Sequence, residues 1–169
     1  MTMHPPIEAF APRRPWWFSG LALLGFVVFS MAAGASGAIW PVSAWYFQIV
    51  QPSWTPPPWV FGPVWTLLYI LIGVSAWRVW RRRGFRRDPV ALRVFLAQWA
   101  LNFAWTGLFF GLHAPLAALV EIIALLALIA WTIARFRRLD PIAAVLLVPY
   151  LLWVSYATSL NAGFWWLNR

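Results

Sequence analysis

The chain has 169 residues, of which 63% are hydrophobic and only 10% charged, with fifteen tryptophans, no cysteine and a formal net charge of +9. A soluble domain carries about a quarter charged residues, so an ordinary water-soluble fold is excluded. The missing cysteine excludes disulfides, thiolate metal sites and a cysteine nucleophile. Three windows, 15–77, 94–120 and 141–168, hold no charged residue at all, and a membrane-spanning helix needs about 20 mainly apolar residues. The expected fold class is therefore an all-α membrane protein, a single domain over 1–169 built as a bundle of five transmembrane helices.

In chain order, the first span is expected at 17–38. Arg13-Arg14 ahead of it and the small residues Ala33-Gly34-Ala35 resemble a secretory signal with a cleavage site, but the run is long enough to cross and is read as a retained helix. The segment PSWTPPPWVFGPVW follows, Pro52 to Trp65, with five prolines, three tryptophans and no charge. Proline lacks an amide donor and its ring clashes with the preceding turn, so this segment is a stiff lead-in. It feeds a second span at 59–80, where Phe61, Trp65, Tyr69 and Ile72 share a face. Rigid backbone with large aromatic faces at the mouth of a helix makes a wall or lid for a flat apolar ligand.

The third span, 92–112, has two faces at 100° per residue. Gln98, Asn102, Trp105 and Phe109 lie on one. Ala100, Ala104, Gly107 and Gly111 lie on the other, the last two as a GxxxG that lets helices approach closely. This smooth face suits either a homodimer or an intramolecular neighbour. Gln98 and Asn102 need partners within hydrocarbon, as interhelical glue or as a ligand anchor. The fourth span, 115–134, carries Glu121, the one carboxylate deep in a span, with a structural role or a ligand or proton role. The fifth, 142–165, sets Tyr150, Trp153, Ala157, Leu160 and Asn161 on one stripe. Most tryptophans fall near helix ends, as an aromatic belt does; Trp65, Trp99, Trp105 and Trp153 lie deeper. Asp88-Pro89 and Asp140-Pro141 read as helix starts. His4 and His113 are too far apart to form a metal cluster, and no phosphate loop, paired carboxylates or Ser/His/Asp set is present, so no metal and no required cofactor is expected.

All thirteen basic residues are arginine, and twelve fall on one side of the five-span arrangement: Arg13, Arg14, Arg78, Arg81, Arg82, Arg83, Arg86, Arg87, Arg93, Arg135, Arg137 and Arg138. Cytoplasmic loops carry the excess of arginine and lysine, so the N-terminus and the arginine loops are expected in the cytoplasm and the Pro/Trp loop outside. The charge sorts by topology, which makes membrane lipid, not nucleic acid, its partner.

Three stretches, Trp45-Tyr46 with PSWTPPPWVFGPVWTLLY (Pro52–Tyr69), QWALNFAWTGLFFG (Gln98–Gly111) and VPYLLWVSYATSLN (Val148–Asn161), resemble in order the motifs of the translocator protein family, also called tryptophan-rich sensory proteins or peripheral-type benzodiazepine receptors. The resemblance covers 45–161. It implies a five-helix bundle, often dimeric, in a membrane that for this chain is expected to be a bacterial cell membrane. It also implies a pocket beneath the first loop for tetrapyrroles such as protoporphyrin IX or haem, sterols and other flat hydrophobic molecules. Carried over by motif, the pocket residues are Trp54, Trp59, Trp65, Asn102, Trp105, Trp153, Ala157 and Leu160. Trp65 and Trp153 match two tryptophans connected with light-dependent porphyrin degradation, the one enzyme-like activity implied. Departures are the absence of tyrosine in LNAGFWWLNR, which puts sterol binding in doubt, a short 39–44 loop, and Ala117 where many animal members carry tryptophan. A receptor or sensor is the leading expectation. A porphyrin transporter, a photodegrader and a scaffold with a vestigial pocket are the alternatives.

Overall fold

A computed structural model describes residues 16–169. Arg13, Arg14 and His4 lie outside the described residues. The elements are α1 (Trp16–Ala32), continued by a 3-10 turn into α2 (Ser36–Ile39); α3 (Ala44–Gln48); α4 (Phe61–Arg81), entered through a 3-10 turn at Pro58–Val60; α5 (Gly84–Arg87); α6 (Pro89–Thr106), extended by a π-helical turn at Gly107–Gly111; α7 (Pro115–Leu139); α8 (Pro141–Leu146); and α9 (Val148–Leu167). No strand occurs among the described residues. Five helical stretches of 24, 24, 23, 25 and 27 residues are apolar and long enough to cross a bilayer: Trp16–Ile39, Pro58–Arg81, Pro89–Gly111, Pro115–Leu139 and Pro141–Leu167. At 1.5 Å per residue each exceeds the roughly 30 Å hydrocarbon thickness. The chain is a multi-pass membrane protein with the expected five-helix architecture.

Boundaries differ from the sequence expectation at the arginine-rich end, where charged side chains extend the helices past the apolar windows. Asp88 caps α6: its carboxylate accepts from the Ala91 amide at 3.2 Å and from Arg135 Nε at 2.8 Å, with Pro89 as the first helical residue. Asp140, 1% exposed, caps α8 by accepting from the amides of Ile142 (3.0 Å) and Ala143 (3.3 Å). It is ion-paired at 3.1 Å with both Arg78 and Arg82. The Arg135 hydrogen bond lowers the Asp88 pKa. Burial pushes Asp140 up, but Arg78 and the Ala143 amide outweigh it and the net shift is downward. These pairs tie the second-to-third and fourth-to-fifth connections to one end of the bundle.

The fifth span breaks at Leu147 between α8 and α9. Pro149 has no amide to continue the ladder, and the interruption is one residue long within the expected fifth span.

Two kinds of contact place the first span. Along its N-terminal part its backbone meets that of α4: a Cβ on Gly73 would stand 2.6 Å from Val27 Cα, so only glycine allows this approach. Trp77 Nε1 donates to the Ser19 carbonyl at 3.0 Å. At its C-terminal end the span turns to α6 instead. Ser36 Oγ lies 2.9 Å from Thr106 Oγ1, and Trp40 lies on Gly107 and Gly111, where a Cβ would meet the indole at 3.2 and 2.6 Å. At these two positions the smooth face of the third span is therefore occupied from within the chain. Ala104 is half-buried and Ala100 exposed.

The core has two parts. The larger runs from the arginine-rich end, where Phe85, Phe95 and Phe136 meet with ring centroids 5.9–6.4 Å apart. The smaller, at the end that carries the Pro/Trp loop, gathers Tyr46, Phe109, Ala118, Leu160 and Phe164.

Candidate functional site

Between these two cores the bundle encloses a cavity of about 410 Å³, within the size of small-molecule sites. All five spans and the first loop contribute. Phe61, Trp65 and Tyr69 come from α4; Asn102, Trp105, Thr106 and Phe110 from the third span; Ile122 and Leu125 from α7; Trp153, Val154 and Ala157 from α9. Gly34, Ser36 and Gly37 close the first-span side, and Tyr46 and Phe47 of α3 form the roof.

The walls are aromatic planes. Trp65 stacks on Tyr69 (5.3 Å, 25°) and meets Tyr150 edge-on at 6.3 Å. Trp153 meets Phe61 edge-on at 5.8 Å, and Trp105 stacks on Phe109 at 5.1 Å. Indole and phenol rings held by such neighbours offer flat contact area with little entropy left to lose on binding.

Few polar atoms break the apolar lining. The Tyr69 hydroxyl donates to Asn102 Oδ1 at 3.0 Å, tying two cavity-lining residues together. Trp105 Nε1 donates to Asn161 Oδ1 at 3.0 Å, and Asn161 Nδ2 donates to the Pro115 carbonyl at 2.8 Å. Asn161 thus acts as interhelical glue that fixes one cavity indole. Trp153 Nε1 has no hydrogen-bond partner among the described residues. Among the described residues no charged side chain lines the cavity, and no cluster of three potential metal ligands exists.

Of the residues expected at the pocket, Trp65, Asn102, Trp105, Trp153 and Ala157 come together around the cavity; Trp54, Trp59 and Leu160 do not line it. Trp59 is 75% exposed at the start of the second span. Trp54 lies against Gly163, where a Cβ would be 3.0 Å from its ring. Its carbonyl accepts from the Tyr156 hydroxyl at 2.6 Å, so it anchors the loop to α9. Leu160 is buried in the smaller core, one helical face away. Trp99, the fourth deep tryptophan, stacks on Phe29 at 4.6 Å outside the cavity. Gln98 is buried with its carbonyl unpartnered, and so are both oxygens of Glu121. Gly34, Ser36, Gly37, Ile122 and Leu125 were not singled out by the sequence. Small and aliphatic side chains give no facial contrast in a uniformly apolar span.

The loop is clasped over the cavity from both neighbours. Val50 exchanges two 2.9 Å hydrogen bonds with the Asn168 side chain. Trp45 stacks on His113 at 4.4 Å, and Ser43 Oγ is 3.4 Å from His113 Nε2. Burial raises the Tyr46 hydroxyl above its ordinary pKa, so the roof stays neutral.

The chain is thus a five-span membrane protein with an uncharged, tryptophan-walled cavity of ligand size beneath its first loop. Residues 21–167 match the model of the TspO/MBR family. The chain is 41% identical over 151 residues to the tryptophan-rich protein TspO of Archaeoglobus fulgidus (88% of this chain, 97% of the relative). It is 40% identical over 139 residues to the tryptophan-rich sensory protein of Cereibacter sphaeroides (80% and 86%), and 39% identical over 123 residues to the human translocator protein (72% and 73%). The chain belongs to the TspO/MBR family, among membrane proteins named as sensors and translocators.

Proposed function

We propose that this chain is a membrane receptor or sensor that binds tetrapyrroles, protoporphyrin IX or haem, and similar flat hydrophobic molecules in the cavity under its first loop. The observation that carries this reading is the convergence of Trp65, Trp105 and Trp153 from three spans on one uncharged space of about 410 Å³. Planar aromatic guests gain most from such walls. The arginine bias supports an orientation with the Pro/Trp loop outside and the arginine loops in the cytoplasm. A homodimer, if formed along the third span, uses Ala100 and Ala104, because Trp40 occupies Gly107 and Gly111.

A second reading, light-dependent porphyrin degradation, is favoured by one observation: both Trp65 and Trp153 line the cavity, and an indole beside an excited macrocycle can donate an electron. Titrating protoporphyrin IX into the purified protein in detergent and in lipid tests the first reading. Saturable quenching of tryptophan fluorescence is expected, weakened in the Trp65→Phe/Trp153→Phe variant. Absence of saturable quenching in both media overturns it. Bleaching of porphyrin absorption under illumination, lost in the double variant, tests the second.

A further inference from the structure

The geometry points to a lateral doorway, open to the outer leaflet between the first and second spans, through which a membrane-dissolved ligand enters the cavity edge-first with any anionic groups trailing at the interface. This rests on the ligand-binding reading above and adds the route and the physical form in which the ligand arrives.

The two spans are zipped together only along their inner half. Gly73 admits the Val27 backbone, Phe26 packs on Trp80 at 5.9 Å, and Trp77 bonds to the Ser19 carbonyl. Farther along, Gly34 faces Tyr69, where a Cβ would stand 2.8 Å from Tyr69 Cε2. Above that point Ser36 and Trp40 draw the first span onto the third. The second span stays with α9 through Phe61 and Trp153. A wedge-shaped gap results. Gly37 on one side and Gly62 on the other border it, each with nothing within 4 Å of where a Cβ would stand, and both line the cavity. The outer lip is apolar and exposed: Val42 is 51% and Phe47 67% accessible, and both line the cavity as well.

A water-filled entrance from outside is opposed by the clasped loop, which Asn168, Tyr156 and His113 hold down. The gap faces the hydrocarbon region, where an apolar planar molecule is already concentrated by partitioning. Among the described residues no charged side chain lines the cavity, and a carboxylate buried without a partner is costly. Propionate-like groups therefore remain at the mouth, at headgroup level.

Gly37 and Gly62 have ordinary negative φ and open space beside them, so larger residues are sterically accommodated there. The test uses the full chain in phosphatidylcholine nanodiscs, with protoporphyrin IX delivered from phosphatidylcholine vesicles and binding followed by stopped-flow tryptophan quenching. In the Gly37→Leu/Gly62→Leu variant, association is expected to slow about tenfold, because a narrowed passage raises the barrier to entry. Gly25→Leu, also in open space on the first span but away from the cavity, keeps wild-type rates. Unchanged association in the double variant, with or without a change in Kd, overturns the doorway and leaves the binding reading standing. Absence of saturable quenching in the wild type overturns the binding reading and the doorway with it.

Discussion

The seat of Trp40 on the third span makes a quantitative prediction. A methyl group on Gly111 would stand 2.6, 2.9 and 3.1 Å from Trp40 Cδ1, Nε1 and Cγ, the pyrrole edge of a rigid ring. A methyl on Gly107 would meet the benzo edge at 3.2–3.3 Å, and one on Gly37 would meet nothing within 4 Å. Overpacking of this kind costs about 1–3 kcal/mol. Replacing glycine by alanine in a helix returns up to about 1 kcal/mol. Gly111→Ala should therefore lose about 1–2 kcal/mol net, which for a chain of this size is a drop in Tm of about 2–8 °C. Gly107→Ala should be near neutral, and Gly37→Ala should gain up to about 1 kcal/mol. Thermal unfolding in one detergent, followed by near-ultraviolet circular dichroism, ranks the three. The penalty at Gly111 should vanish in a Trp40→Ala background, the signature of a direct contact in a double-mutant cycle. Equal stability of Gly111→Ala and Gly37→Ala, or a penalty that survives without Trp40, would refute the packing argument.

Three further outcomes follow from the same contacts. Both oxygens of Glu121 are buried without partners, so Glu121→Leu should raise stability by about 1–3 kcal/mol, read as a higher Tm; a loss of similar size would mean the carboxyl is satisfied. The pKa values of Asp88 and Asp140 are lowered in the folded chain, so their stabilisation is present above the ordinary carboxylate pKa near 3.9 and is lost as pH falls below it. Melting between pH 7 and 3 should show that acid-side loss, and Asp140→Asn should melt lower at pH 7 with a shallower loss. Because no cation among the described residues lines the cavity, the dimethyl ester of protoporphyrin IX should bind at least as tightly as the free acid in the quenching titration. Binding of the ester weakened tenfold or more would point to a cationic partner for the propionates.

The architecture was legible because lipid imposes one strong constraint, long apolar helices, and the arginines and Asp-Pro pairs punctuate them. The site was legible where residue type stood out from that background: tryptophan on α4, α6 and α9, and asparagine at 102. It was not legible where the background itself forms the wall. Gly34 and Gly37 differ from other first-span glycines only in what lies opposite them, and Ile122 and Leu125 are two aliphatic residues in a span full of them. Trp54, Trp59 and Leu160 share motifs with cavity residues, yet local geometry directs them elsewhere. The loop folds Trp54 onto the Gly163 notch, and helical rotation turns Leu160 from Ala157 toward Phe109 and Phe164. The break at Leu147 was signalled by Pro149 but hidden inside an unbroken hydropathy window.

The account stands on a flat guest seated among three particular indoles, and the side-chain N–H resonances of the fifteen tryptophans, assigned by single Trp→Phe variants, report on it most directly. On titration with protoporphyrin IX, the largest saturable ring-current shifts should fall on Trp65, Trp105 and Trp153, with Trp16, Trp131 and Trp166 nearly still. Largest shifts on those three exposed rings, with the cavity indoles unmoved, would contradict it.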